Sequence, residues 1–261
     1  MTFAERLRPT LAIARKDLRN LFLSPLFYGV ACLCSITWTL IYFMGLQEFS
    51  RASFMSAAQG GMNEANLHNV VFSRHISIVN LVLIFAISAM SVRFFTEEKR
   101  NQSLSLLLTS PVSATGITIG KLVAGLLGAW ALVAVSALYP LSLAPFAQIE
   151  WGPLATSYLG LMLIAGCYVS VGLFASVLTE SNVLAILMAL IFNVLLWFLG
   201  ALTEVSENPV VAKVFEHLNV GSHFVSLISG QITVAGLAFF LSVIFLMTFL
   251  TQRVVESYRW R

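Results

Sequence analysis

Residues Val183 to Gly200 read VLAILMALIFNVLLWFLG, a run with no charged side chain and no alternation of apolar and polar positions. Leu81 to Met90, LVLIFAISAM, has the same character. A membrane β-barrel shows period-2 alternation, which is absent here. In lipid the backbone must then satisfy its own hydrogen bonds within each segment, so these runs are read as helices.

The pattern extends along the chain. No Asp, Glu, Lys or Arg occurs from Asn20 to Gln47, Leu122 to Ile149, Trp151 to Thr179, Ser181 to Thr203 or Leu218 to Gln252. The 261 residues are 58% hydrophobic and 10% charged, with a mean hydropathy of +0.87. A soluble domain carries about 25% charged residues, so a soluble class is excluded. A helix needs about 20 apolar residues to cross a bilayer core. The expected fold is an all-α integral membrane domain over 1–261, with six transmembrane helices at 25–46, 76–95, 122–144, 154–178, 183–202 and 232–251.

Twelve of the fifteen basic residues fall on one side of that plan: the N-terminal segment, the loop after the second span, and the C-terminal tail. Only Arg51, Arg74 and Lys213 fall on the other. The positive-inside rule then predicts cytoplasmic termini. The net charge of +3 follows from this topology and implies no nucleic-acid partner.

The segment before the first span is not a cleavable signal, because its apolar run starts near Pro25 and is too long for a signal core. On a helical wheel Leu7, Leu11, Ala14, Leu18, Leu21 and Phe22 share one face, with Arg8, Arg15, Lys16 and Arg19 on or beside another. This predicts a basic amphipathic helix over 9–23 lying at the cytoplasmic interface, in contact with membrane lipid. It is read as a topogenic anchor, a force-transmitting element, or both. Ser24-Pro25 ends it.

Glu97 to Lys121, EEKRNQSLSLLLTSPVSATGITIGK, is the charged hairpin between spans two and three. Leu104, Leu107 and Leu108 recur at i, i+3, i+4 and gather on one helical face. Thr109, Ser110 and Pro111 end that short helix. Ser113 is a candidate cap, and Gly116 and Gly120 permit close packing. Lys121 is expected to snorkel at the interface and mark the start of span three. The apolar face needs cover, from a groove on a soluble partner or from lipid and the protein's own spans.

No GxxxxGK[ST] nucleotide loop occurs, so no cofactor is expected on this chain. His68, His75, His217 and His223 fall in or beside the two outer loops, and no His, Cys or acidic group has metal-ligand spacing. Cys32, Cys34 and Cys167 are read as packing residues. No ionisable side chain is expected deep in a span, which disfavours an ion-coupled carrier; no catalytic or metal residue is expected either. Thr37, Thr39, Ser136, Ser170, Ser176 and Asn193 are candidates for a dimer interface or for bonds between helices. The first outer loop, 47–75, is read as a linker or a dock for another subunit. In the second, Phe215, Leu218, Phe224, Leu227 and Ile228 can tuck back into the bilayer edge, and His223 is a gate or ligand residue or a hydrogen-bonding link.

The hairpin resembles the signature of type-2 ATP-binding-cassette permeases, especially the gliding-motility and nitrous-oxide-maturation branch. WGPLATSYLGLMLIAGCYVSVGLFASVLTESNVLA and LNVGSHFVSLISGQI are similar to later segments of the same family. The resemblance implies a permease subunit of the bacterial inner membrane. Such a subunit pairs with a second permease, identical or related, and with a cytoplasmic ATP-binding subunit that holds the ATP and Mg. Periplasmic or membrane accessory proteins are compatible with it. It implies a coupling helix within 97–115, carried here by Glu97, Glu98, Lys99, Arg100, Leu104, Leu107, Leu108, Thr109, Ser110 and Pro111. It implies a connecting helix carrying Arg15, Lys16 and Arg19, and outer re-entrant helices over 210–230 with Ser222 and His223 as a gate. The family usually has Gly-Thr where this chain has Gln102-Ser103, and often a Pro in span two where this chain has Ile87-Ser88-Ala89-Met90. The expected role is coupling of ATP hydrolysis on the partner to export or force transmission. The alternative is a membrane scaffold that recruits an ATPase or a motility or secretion machine without transporting anything.

Overall fold

The structure is a computed structural model that describes residues 3–58, 67–109, 112–200 and 209–258. Every regular element among them is helical. Five helices are long and apolar enough to cross a membrane, and a sixth apolar helix, Asn182–Phe198, is shorter at 17 residues.

Helix α1 (Phe3–Leu23) is followed at once by α2 (Pro25–Ala58), with Ser24 between them. A short π-helical turn (His68–Phe72) leads into α3 (Ser73–Ser91), α4 (Arg93–Arg100) and α5 (Ser103–Thr109). The long α6 (Ala114–Leu143), α7 (Trp151–Leu178) and α8 (Asn182–Phe198) come next. Two short helices, α9 (Pro209–His217) and α10 (Val220–Ile228), precede α11 (Val234–Ser257).

Several boundaries differ from the sequence reading, each for a local reason. Helix α2 has 34 residues and runs twelve past the expected end at 46, because Gln47 to Ala58 holds no Gly or Pro to stop it. Much of the first outer loop is therefore helix. Glu48 on this extension pairs with Arg74 of α3. Helix α6 begins at Ala114, eight residues before the expected start at 122, because Ser113 caps it by accepting from the Gly116 amide at 3.1 Å. Between α3 and α4 Val92 keeps helical angles, φ −61° and ψ −32°, so Ser73 to Arg100 follows one right-handed path. That agrees with the missing proline.

The core is built around α7, whose central window is 78% buried. Its Tyr168 hydroxyl donates to Asn80 Oδ1 of α3 at 2.9 Å and accepts from Trp197 Nε1 of α8 at 2.7 Å. Asn193 of α8 donates to Ser88 of α3 at 3.0 Å. Side-chain pairs of this kind hold membrane helices together where no hydrophobic force acts between them. Of the polar residues read as lining a dimer interface or bonding between helices, Asn193 and Thr39 bond between helices and the three buried serines bond within their own. Ser136, Ser170, Ser176 and Asn193 are fully buried within this one chain. The three serines donate to carbonyls on their own helices, Val133, Cys167 and Leu173. Thr39 alone of the six is exposed and reaches another helix, at Tyr139.

Helix α1 is not a lone interfacial helix; it is packed along α6. Its buried residues are Ile13, Ala14 and Asp17, with Leu18, Leu21 and Phe22 against the core. Leu11, expected on the apolar face, is 62% exposed. The contact is close because α6 presents glycines to it. A Cβ at Gly120 would lie 2.9 Å from the Thr10 carbonyl oxygen, and one at Gly128 would lie 2.3 Å from Leu21 Cδ2. Gly120→Ala is expected to lift α1 and lower stability by about 1–3 kcal/mol, as overpacking does. Gly29→Ala, where a Cβ meets nothing within 4 Å, serves as the control in the same detergent melt.

Candidate functional site

The chemistry of this chain gathers where α1, α4, α5 and α6 meet. Lys121 of α6 does not snorkel. It is fully buried, and its ammonium lies 3.0 Å from Asp17 Oδ2 of α1, 2.9 Å from Glu98 Oε2 of α4 and 2.8 Å from the Phe94 carbonyl. The Phe95 ring lies 5.0 Å away on centroid. Asp17 Oδ2 and the Phe94 carbonyl each accept a hydrogen bond from the ammonium, and Glu98 Oε2 meets it as an ion pair. Lys16 of α1 adds a second cation to Glu98 at 3.2 Å. Two acids and two bases from three helices thus form one cluster. Burial raises the Asp17 carboxyl above its ordinary value, and Lys121 opposes that shift.

Helix α4 is the hub. Arg93 pairs with Glu97 and donates to Ser24 Oγ, at the joint of α1 and α2, at 2.8 Å. Thr96 is fully buried and donates to Asn182 at the start of α8. Lys99 donates to the Val177 carbonyl at the end of α7 and to the Tyr258 hydroxyl beyond α11 at 2.9 Å, with the Tyr258 ring centroid 4.6 Å away. Glu98 holds α1 and α6. Four of the six polar residues of this eight-residue helix, Arg93, Thr96, Glu98 and Lys99, therefore each tie down a different part of the bundle.

Helix α4 stops because Gln102 takes φ +55°, the left-handed region in which a helix turns off its axis. Helix α5 follows. Of its apolar face, Leu104 is buried in the core and Leu107 packs partly buried against it. Ser110 and Pro111 lie outside the described residues, and the side chain of Leu108 likewise. What faces outward at this end is Arg100, Asn101, Gln102 and Thr109, together with Arg15 and Arg19 of α1.

At the opposite end, α10 tucks onto α7 through Phe224, Leu227 and Ile228, whose burial is within the protein rather than in the bilayer edge. Leu218 stays exposed. His223 bonds the His217 carbonyl at 3.2 Å, joining α10 to α9, and its ring lies 5.0 Å from that of Phe239. Ser222 is exposed, and its amide donates to Asn219, the cap of α10. Among the described residues no group of three metal-ligating side chains comes together.

The sequence reading singled out Lys16 in one element and Glu98 and Lys99 in another, did not join them, and missed Asp17, Thr96, Asn182 and Tyr258. Asp17 carried a signal: it is one of only two acids in α1, with Glu5, and it stands four residues from both Ile13 and Leu21 of the buried face. The chain as a whole resembles known proteins at the family level. Residues 11–251 match the family described as "ABC-2 family transporter protein". No curated protein matches.

Two outcomes test the cluster. Lys121→Met strands two buried carboxylates and is expected to cost about 3–5 kcal/mol of stability, as removal of one partner of a buried pair does. Adding Asp17→Asn and Glu98→Gln restores most of it, which a multiple-mutant cycle of detergent melts measures. At the turn, Gln102→Val is expected to cost about 1–2 kcal/mol, because a β-branched residue resists the left-handed region, whereas Gln102→Gly costs nothing.

Proposed function

This chain belongs to the ABC-2 transporter family and is a membrane component of such a transporter; we propose that it is one of two permease subunits moved by a separate cytoplasmic ATPase. The ATP and Mg sit on that ATPase, and this chain supplies the path or the force across the membrane. On this reading α8 is the fifth of six spans in chain order, at the lower limit of about 17 residues for a transmembrane helix. The distribution of Lys and Arg supports cytoplasmic termini in a bacterial inner membrane. Helices α9 and α10 form the outer re-entrant pair.

The observation that carries the reading is the connectivity of α4. The ATPase grips the exposed ridge of Arg100, Asn101, Gln102 and Thr109, flanked by Arg15 and Arg19. Glu97, Glu98 and Lys99 lie less exposed than that ridge and transmit, with the exposed Lys16 joined to Glu98. A push on α4 reaches α1 and α6 through Glu98, α8 through Thr96, and the ends of α7 and α11 through Lys99. Pulling the largely buried Glu98 carboxylate away from the ammonium groups of Lys121 and Lys16 costs several kcal/mol, so the elements move together instead of shearing apart.

Arg100→Glu with Thr109→Asp is expected to cut recovery of the ATPase in gentle affinity purification by about tenfold, with the melting temperature of the permease unchanged. Full recovery overturns the docking ridge. A scaffold that transports nothing would bind the same ATPase but leave the outer hairpin still. Labelling of Ser222→Cys by a membrane-impermeant thiol reagent, with and without ATP, separates the two: a permease changes its rate, a scaffold does not.

A further inference from the structure

A cavity of about 260 Å³ opens beside α1, between the joint with α2 and the end of α3 and α4. Its lining mixes apolar side chains such as Leu21, Leu26 and Phe27 with charged ones, Lys16, Arg93 and Glu97 beside the Asp17 and Glu98 carboxylates already paired with Lys121. We propose that this cavity binds the headgroup of one aminophospholipid from the leaflet into which α1 dips, with an acyl chain lying along α2. The proposal rests on the membrane reading above but not on the ATPase.

The charges at the mouth decide the chemistry. Lys16 has 57% of its side chain exposed, Arg93 33% and Glu97 35%. Lys16 uses one of three donors on Glu98, and Arg93 uses two of five on Glu97 and Ser24. Both keep donors for phosphate oxygens, with Arg93 able to grip two at once. Glu97 keeps acceptor capacity for an ammonium. A purely anionic ligand would meet Glu97, and a purely cationic one would meet Lys16 and Arg93. A phosphate with a primary amine a few bonds away satisfies both. A quaternary amine has no N–H to give to Glu97.

The apolar lining supplies the second half. Leu26 lines the cavity and is itself 41% exposed. From it Gly29, Leu33, Ile36, Leu40 and Phe43 follow at helical spacing on one face of α2, all of them exposed. Nothing lies within 4 Å of a Cβ built at Gly29. The headgroup cavity thus opens directly onto an uncovered apolar track running into the bilayer. That shape suits a lipid and not a free phosphate or a nucleotide.

The test is native mass spectrometry of the detergent-purified chain after incubation with an equimolar mixture of phosphatidylethanolamine, phosphatidylglycerol and phosphatidylcholine. One phosphatidylethanolamine is expected to be retained about tenfold over either competitor, the size of one lost charge-assisted bond. Glu97→Gln should erase the preference over phosphatidylcholine, and Arg93→Gln should lower retention of every lipid. Leu26→Trp should fill the cavity and release the lipid while the melting temperature holds. Equal retention of all three lipids overturns the proposal, as does a preference that survives both Glu97→Gln and Leu26→Trp. Efficient crosslinking of Leu33→Cys between two copies, with no lipid retained, makes the track a subunit interface and overturns it as well. None of these readouts uses the ATPase, so loss of the coupling reading and loss of this one are separable.

Discussion

Lys121 has no route to water. Its side chain is fully buried in a helix that starts two turns earlier than its charge alone would allow, and its ammonium is held by Asp17, Glu98 and the Phe94 carbonyl. Removing a charge from water costs several kcal/mol even after relaxation, so this lysine is tolerable only while both acids are in place. That requirement positions α1 and α4 against α6 together. The glycines of α6 allow α1 close enough for Asp17 to reach, and the Ser113 cap sets the helical register that aims Lys121 at both acids. Much of this end of the molecule follows from that one neutralisation.

The helical membrane class was legible because it rests on long uncharged runs, and the centres of the spans follow from the same signal. Their ends were not, because polar residues near a membrane surface have two readings. Lys121 reads as a boundary marker unless its two acids are known, and those are 104 residues away in α1 and 23 away in α4. The Leu face of α5 likewise reads equally as bait for a partner or as core. Only tertiary packing, with Leu104 buried, decides for the core. Intramembrane serines were over-read: a hydroxyl in a helix can satisfy itself on the preceding turn, and Ser136, Ser170 and Ser176 do so. Gln102 is a different case. The resemblance sets Gly at this place, and a φ of +55° lies in the left-handed region that glycine favours. A departure in residue type marks a place where the backbone requirement persists.

The division between what touches and what transmits also differs from the sequence reading. Of the residues assigned to the coupling segment, Glu98 is mostly turned inward, whereas Arg100 and Thr109 face out. On the proposed coupling reading, docking rests on few outward side chains of this hairpin, with the ion cluster lying beneath them.

Helix α2 adds a mechanical consequence of its length. Its 34 residues rise about 51 Å at 1.5 Å each, well beyond a hydrocarbon core of about 30 Å. It is a rigid mast whose foot stands at the Ser24 joint beside Arg93. Rotation at the foot is multiplied along a shaft of that length: a tilt of 10° carries the far end sideways by about 9 Å. Small angular strokes at the base therefore become displacements the size of a side chain or more on the other side, where Phe54 and Met55 stand exposed near the tip.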